Sequence, residues 1–205
     1  MARRASIPIS VAVEGSVDEV VLSSVARQVD AHVARVYGKR GKDDLRKKII
    51  GFNEDARFNP WVVLVDLDDA GCAPELRSEW LPNPNRRMRL RFAVREIESW
   101  LLADPQSLAR FLRVPISQIP LNPENLPDPK MTVVDLARRS RSRVIRDEMV
   151  PSQGSGRSIG PAYPSRLIEF TLRHWRPRVA MRNADSLRRC RIRIADLVAQ
   201  LRQVA

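Results

Sequence analysis

Apolar residues along the chain follow two rhythms, one of period two and one of period near four, and they alternate. "IPISVAVE" sets β-branched residues in a short run that stops at Gly15, which predicts a strand over about 7–13. Ser16 with Glu19 three places on has the spacing of a capping box and predicts a helix from Val17, with Val20, Val21, Ser24, Val25 and Gln28 on the same face. "HVARVYG" predicts a second strand near 32–37, and the glycines of "GKRGK" a turn into a helix over 43–55. Trp61 to Val65 is a continuous apolar run, the pattern of a strand covered on both faces of a parallel sheet. Pro74 opens a short helix to about Trp80, and "MRLRFAVRE" alternates as a fourth strand. "EIESWLLAD" is helical, and Asp104 and Pro105 cap and begin a helix to about Leu112.

Strand followed by helix, four times over, implies an α/β fold: a Rossmann-like, mostly parallel four-stranded sheet flanked by helices, assigned to residues 1–114. Residues 115–205 read as a helical C-terminal extension, with a proline-rich connection, helices near 130–148, 163–174 and 184–202, and a glycine-serine loop, "PSQGSGRSIGP". In the last helix Leu187, Cys190, Ile194, Leu197, Val198 and Leu201 form one stripe for packing, which leaves Arg188, Arg189, Arg191 and Arg193 to face outward.

Charge sharpens this division. The net charge of +12 is uneven: residues 1–129 carry 19 Lys/Arg against 18 Asp/Glu, and residues 130–205 carry 17 against 6. Most of the excess is arginine, whose forked guanidinium suits phosphate oxygens, so nucleic acid is the expected partner. A solubilising surface, or a contact with an acidic protein, is the alternative. No apolar run is long enough to cross a bilayer and "MARRASIP" lacks the apolar segment of a secretory signal, so a cytoplasmic protein with no membrane partner is expected. Self-association is left open.

Several chemistries are set aside. Cys72 and Cys190 form no disulfide framework and no metal-ligand spacing, and are expected as buried or half-buried thiols. "GKRGK" is too short for a phosphate-binding loop and has no Ser or Thr after its lysine, which argues against ATP hydrolysis. His32 and His174 have no neighbours suited to a catalytic base, and Trp100 and Trp175 lie in helical apolar contexts, as core residues do.

What stands out is where the acids fall. Ligands of open α/β sheets bind outside the carboxyl ends of the strands, and the expected strands deliver Glu14, then Asp66 and Asp68, then Glu96 and Glu98 to that edge. Asp66 and Asp68, two apart, point to one side while the backbone stays extended. Gathered carboxylates resist ionising together unless a cation sits among them, and an all-oxygen donor set suits a hard ion, Mg²⁺ or Mn²⁺. Such an ion polarises a phosphodiester and generates hydroxide. For any one of these acids, a turn residue or helix cap is the alternative.

"VEGSVDE", followed about fifty residues later by "VLVDLDDAG", resembles the Toprim domain, with its Glu-Gly after the first strand and Asp-x-Asp after the third. "VREIESWLLAD" is similar to small bacterial Toprim-like proteins of the DUF4276 and RloB-like type, related to OLD-family nucleases and regarded as partners of ATPases in phage defence. The resemblance implies a Toprim-type nuclease acting on DNA or RNA. In it Glu14 is the acid/base or a metal ligand, Asp66 and Asp68 bind Mg²⁺, and Asp18 corresponds to the acid of a Glu-Gly-x-x-Asp form. Glu98 is a further site acid and Glu96 a less specific one. For Asp18 the alternative is an acidic first-turn residue, and for Glu98 a solvated helix position. Without a candidate tyrosine domain, strand passage is not implied. Lys42, Arg95, Lys130, Arg157, Arg188 and Arg189 are the candidate contacts to nucleic-acid phosphates. The rival expectation is a nucleic-acid-binding or sensing subunit of an ATPase complex, with no catalysis of its own.

Overall fold

The computed structural model describes residues 5–69 and 71–203. The chain divides into two compact units, one running to Val94 and resuming at Ser186, the other covering Arg95–Asp185. The division differs from a boundary at residue 114: the second unit begins just after the last strand, and the C-terminal helix belongs with the sheet.

The first unit is α/β and Rossmann-like. Strands β1 (Ile7–Val13), β2 (Ala31–Gly38), β3 (Trp61–Asp66) and β4 (Met88–Ala93) form one sheet in the order β2-β1-β3-β4, with every pairing parallel. Helix α1 (Ser16–Arg27) connects β1 to β2, α2 (Lys42–Asp55) connects β2 to β3, and α3 (Ala73–Trp80) connects β3 to β4. The step from β1 to β2 runs one way across the sheet and the later steps run the other way. Right-handed crossovers therefore put α1 on one face and α2 and α3 on the other. Side chains agree: Trp61, Val63 and Val65 of β3 and Met88, Leu90 and Phe92 of β4 share a buried cluster with Leu45 and Ile49 of α2 and Trp80 of α3.

The alternation in β4 has a chemical consequence. Its odd positions, Arg89 and Arg91, face away from that cluster, and Arg89 donates to Arg193 O at 3.3 Å and to Gln200 Oε1 at 3.2 Å, both on the C-terminal helix. That helix, numbered α10 below (Asp185–Arg202), buries Leu187, Cys190, Ile194, Leu197 and Val198 while Arg188 and Arg189 remain exposed, as its apolar stripe requires. Cys190 is wholly buried, and burial pushes its thiol up to about 12 against the opposing influence of Arg91. Cys72, in contrast, is exposed at the N-cap of α3, so the expectation of a covered thiol fails there.

The second unit is helical: α4 (Ile97–Leu102), α5 (Pro105–Leu112), α6 (Pro129–Arg138), α7 (Arg143–Met149), α8 (Tyr163–Arg173) and α9 (Pro177–Ala180). The helix expected over 130–148 is two helices. Ser140, buried at the break, accepts from Ser142 N–H at 3.0 Å, a side-chain bond that competes with helix continuation. Asp104 caps α5 as its sequence predicts, accepting from Ser107 N–H at 3.4 Å. It does more than cap. Fully buried, it also accepts from Arg176 N–H at 2.9 Å and from the Arg176 guanidinium at 2.6 and 3.0 Å. Burial alone would raise its pKa, but these bonds together hold it below the ordinary carboxylate value. Trp100 and Trp175 are core residues, and the Trp175 indole donates to Trp100 O at 3.2 Å. Among the described residues no helix is long and apolar enough to cross a membrane.

Candidate functional site

In the sheet order β2-β1-β3-β4 the chain reverses its direction of winding between β1 and β3, so the crevice of this fold opens at the carboxyl ends of those two strands. Glu14 follows directly on β1, and Asp66 is the last residue of β3. The two are in contact: Asp66 N–H donates to Glu14 Oε1 at 2.7 Å. Glu14 answers the strand end chemically, because the amide at the end of β3 finds its acceptor across the switch point.

Asp18 joins from the first turn of α1. It is buried, and a Cβ placed on Gly15 would stand 3.1 Å from its Oδ2, so the carboxylate folds back toward the β1–α1 turn. The expected capping box does not form. Gly15 is the N-cap, Ser16 is already helical, no side chain caps the helix, and Glu19 pairs with Lys39 instead.

Asp68 arrives differently from the extended-strand expectation. β3 ends at Asp66, and Asp68 takes a left-handed conformation, φ 52°, so the two aspartates do not share an alternation. Asp68 is exposed and bonded to Lys42, whose Nζ donates to Asp68 Oδ2 at 2.8 Å, to Asp66 O at 2.8 Å and to Leu67 O at 3.3 Å. The β2–α2 turn delivers this lysine. Gly38 holds φ +86°, where a Cβ would lie 2.4 Å from Val13 O, so only glycine lets the loop fold onto the end of β1. Lys39 and Gly41 then donate their N–H groups to Val13 O at 2.8 Å and Glu14 O at 3.3 Å. Lys42, expected as a phosphate contact, is here the counter-ion of the acid cluster.

Electrostatics reflect the crowding. The Glu14 carboxyl is raised to about 7, chiefly by burial, with the charges of Asp18 and Asp68 adding to the shift and the Asp66 N–H bond and Lys42 opposing it. The donors are oxygens throughout, as a hard cation prefers. Among the described residues, however, no three acids stand close enough together to enclose a metal ion. The side chains as placed are therefore donors of the right kind without a preformed cage.

The remaining candidates have partners of their own. Glu98 is in the first turn of α4 and belongs to the second unit, where it is buried, contrary to a solvated position, and accepts from Tyr163 O–H at 3.2 Å. Burial, then the Glu98 charge, raises the Tyr163 pKa well above its ordinary value. Glu96 is the N-cap of α4 and takes both Lys130 N–H, at 2.9 Å, and Lys130 Nζ, at 2.5 Å. Lys130 is thereby a structural cation within its unit. Arg95 sits at φ 61° at the start of that unit, and Arg157 is exposed in the glycine-serine loop. His32 is exposed and bonded to Ser6 at 3.1 Å; His174 is exposed, with its ring 5.6 Å from that of Phe111. Sequence reasoning missed Tyr163, whose pairing with Glu98 spans 65 positions and leaves no local signal. It also read Asp104 as a cap alone; an acid before proline at a helix start looks the same with or without a distant arginine. Comparison of the chain with family models, with curated proteins and with solved structures gives no match, so its likeness to Toprim proteins rests on the quoted motifs alone.

Proposed function

We propose that the chain is a divalent-cation-dependent phosphodiesterase acting on nucleic acid, with its reaction centre at the carboxyl ends of β1 and β3. The observation that carries this reading is the meeting of Glu14 and Asp66 across the switch point, with Asp18 and Asp68 near enough to perturb Glu14. Glu14, Asp66 and Asp68 would hold Mg²⁺ or Mn²⁺, and Asp18 stands behind Glu14. When bound, the ion supplies Lewis-acid activation of the phosphodiester and of water. The protein's own part is to hold acids at a sheet edge where their mutual repulsion favours a cation. Lys42 occupies Asp68 with a tethered positive charge, so ion binding competes with the ammonium. An ATPase partner and a role in phage defence are what the likeness of "VREIESWLLAD" adds to this reading.

The test is hydrolysis of supercoiled DNA, single strands and tRNA in Mg²⁺ or Mn²⁺, by the chain alone and with a neighbouring ATPase. Asp66→Asn and Asp68→Asn are expected to lower cleavage by about 1000-fold each, the loss of a metal-centred transition-state contact of several kcal/mol. Cleavage that persists in both variants would put the reaction elsewhere.

One observation favours a second reading. Three oxygens at this edge already receive donations from Lys42 Nζ. If Lys42 is the site's permanent cation, the chain is a non-catalytic nucleic-acid-binding or sensing subunit. It would then bind nucleic acid with steep salt dependence, take up no divalent ion, and show no cleavage with any partner.

A further inference from the structure

The second unit carries 15 Lys/Arg against 10 Asp/Glu, and the arginines are not spread evenly over it. Two hollows, of about 850 and 910 Å³, are both lined by Arg110, Arg113 and Arg176. Arg166 and Arg173 line the first hollow and Arg141 the second. Among the described residues Glu169 is the one acid lining either hollow.

The engagement of these guanidinium groups differs. Arg176 is held by buried Asp104. Arg166 pairs with Glu148 and, at 2.6 Å, with Glu169, which also accepts from Arg173 at 3.3 Å. Arg110 turns back to Gln106 O at 3.3 Å. Arg113 and Arg141 make no side-chain hydrogen bond or ion pair with any described residue. They are nonetheless neighbours, because Arg141 N–H donates to Arg113 O at 3.3 Å. Arg113 occupies the left-handed C-cap of α5, φ 54° and ψ 46°, a position where glycine is the least strained residue. Two adjacent, uncompensated arginines held in a concave surface gain from a ligand that brings several phosphates at once. Phe111 and His174 add aromatic surface in the first hollow, where unpaired bases can stack.

We propose that this arginine-lined groove binds the sugar-phosphate backbone of single-stranded nucleic acid, with Arg113 and Arg141 as its principal phosphate contacts. Hollows of this volume have room for a few nucleotides, and the bases of a single strand are free to reach Phe111 and His174 as the paired bases of a duplex are not. The assignment stands whether or not the acids of the first unit hydrolyse anything.

Fluorescence anisotropy with a labelled single strand of about 15 nucleotides, in EDTA and across a salt series, tests it. The Arg113→Ala/Arg141→Ala variant is expected to bind about 10-fold more weakly, and the slope of log affinity against log salt to fall by about 1.4. The control is Arg138→Ala/Arg143→Ala, an equal charge change at exposed residues of the same unit that line neither hollow; it should stay within about 2-fold of the parent. Thermal midpoints check folding, and Arg113→Lys/Arg141→Lys should keep part of the affinity as the charge remains. The proposal is overturned by any of four results: unchanged affinity, equal weakening in the control, tighter binding of duplex than of single strand, or displacement by micromolar inorganic phosphate or mononucleotide. The last would make the ligand a small phosphate. EDTA removes any divalent ion, so this titration reads binding without cleavage, and failure here and failure of the phosphodiesterase reading, which is read by cleavage, are told apart.

Discussion

At the carboxyl ends of β1 and β3 the charges of Asp18, Asp68 and Lys42 all act on Glu14, while in the second unit arginines line a groove in which Glu169 is the one acid among the described lining residues. The two concentrations arise from different physics. A parallel sheet sends all its strand ends to one edge, so acids far apart in sequence, Glu14 and Asp66, meet by topology. The groove draws on helix ends and the break between α6 and α7, where exposed positions take charged residues without disturbing the core. Glu14 and Asp18 are therefore embedded in structure, the one bonded to backbone and the other buried, whereas Arg113 and Arg141 can be removed without breaking a side-chain bond to a described residue. Function assigned to the first should be sensitive to conservative change, and function assigned to the second should respond mainly to charge.

The largest effect tests that contrast directly. The double variant Asp66→Asn/Asp68→Asn should cost about as much cleavage as either single change, on the order of 1000-fold, since the pair acts as a unit. Additive losses would mean independent roles.

Next is the place where the two kinds of site overlap. Arg176 lines the groove but is tied to buried Asp104, and Asp104→Ala should destabilise the fold by about 3 kcal/mol through lost cap and charge-assisted bonds. Because the Asp104 pKa is depressed in the fold, its contribution is full above the unfolded-state value near 4 and is lost as pH falls through the folded value. Urea unfolding of the parent and Asp104→Asn should therefore differ most at pH 7 and converge in acid. A gap independent of pH would assign the effect to packing.

Gly38→Ala should cost about 2 kcal/mol, from a left-handed backbone and a contact with Val13 O, and should loosen the turn that presents Lys42. Chemical denaturation reads this. The smallest effect is expected from Lys42→Met: the exposed pair with Asp68 and the donations to Asp66 O and Leu67 O together should contribute about 1 kcal/mol to stability, yet removal of the ammonium should enlarge the thermal shift produced by Mg²⁺. A stability loss without any gain in ion response would favour the reading in which Lys42 is the permanent cation.

Much of the first unit was legible in sequence, for definite reasons. The apolar run Trp61 to Val65 is buried on both faces, the alternation in "MRLRFA" puts Met88, Leu90 and Phe92 on one face, and acids after strands mark their carboxyl ends. The site was legible only as far as strand geometry reached. Asp68 departs from it because the chain turns left-handed there, a conformation set by the loop, and the fate of Lys42 depends on the fold-back at Gly38. Glu98 could not be placed by pattern, since its position follows β4 by only a few residues and yet falls in the other unit, beside Tyr163. The serines at the break between α6 and α7 read equally well as solvent-facing helix positions until tertiary packing buries Ser140.

The acids at the β1/β3 switch point are proposed as a site for a hard divalent ion. Calorimetric titration of Mn²⁺ into the full chain and into Asp66→Asn/Asp68→Asn addresses it without reference to any substrate. Saturable uptake by the parent that disappears in the variant is the result expected. Uptake by neither protein, or equal uptake by both, would contradict it.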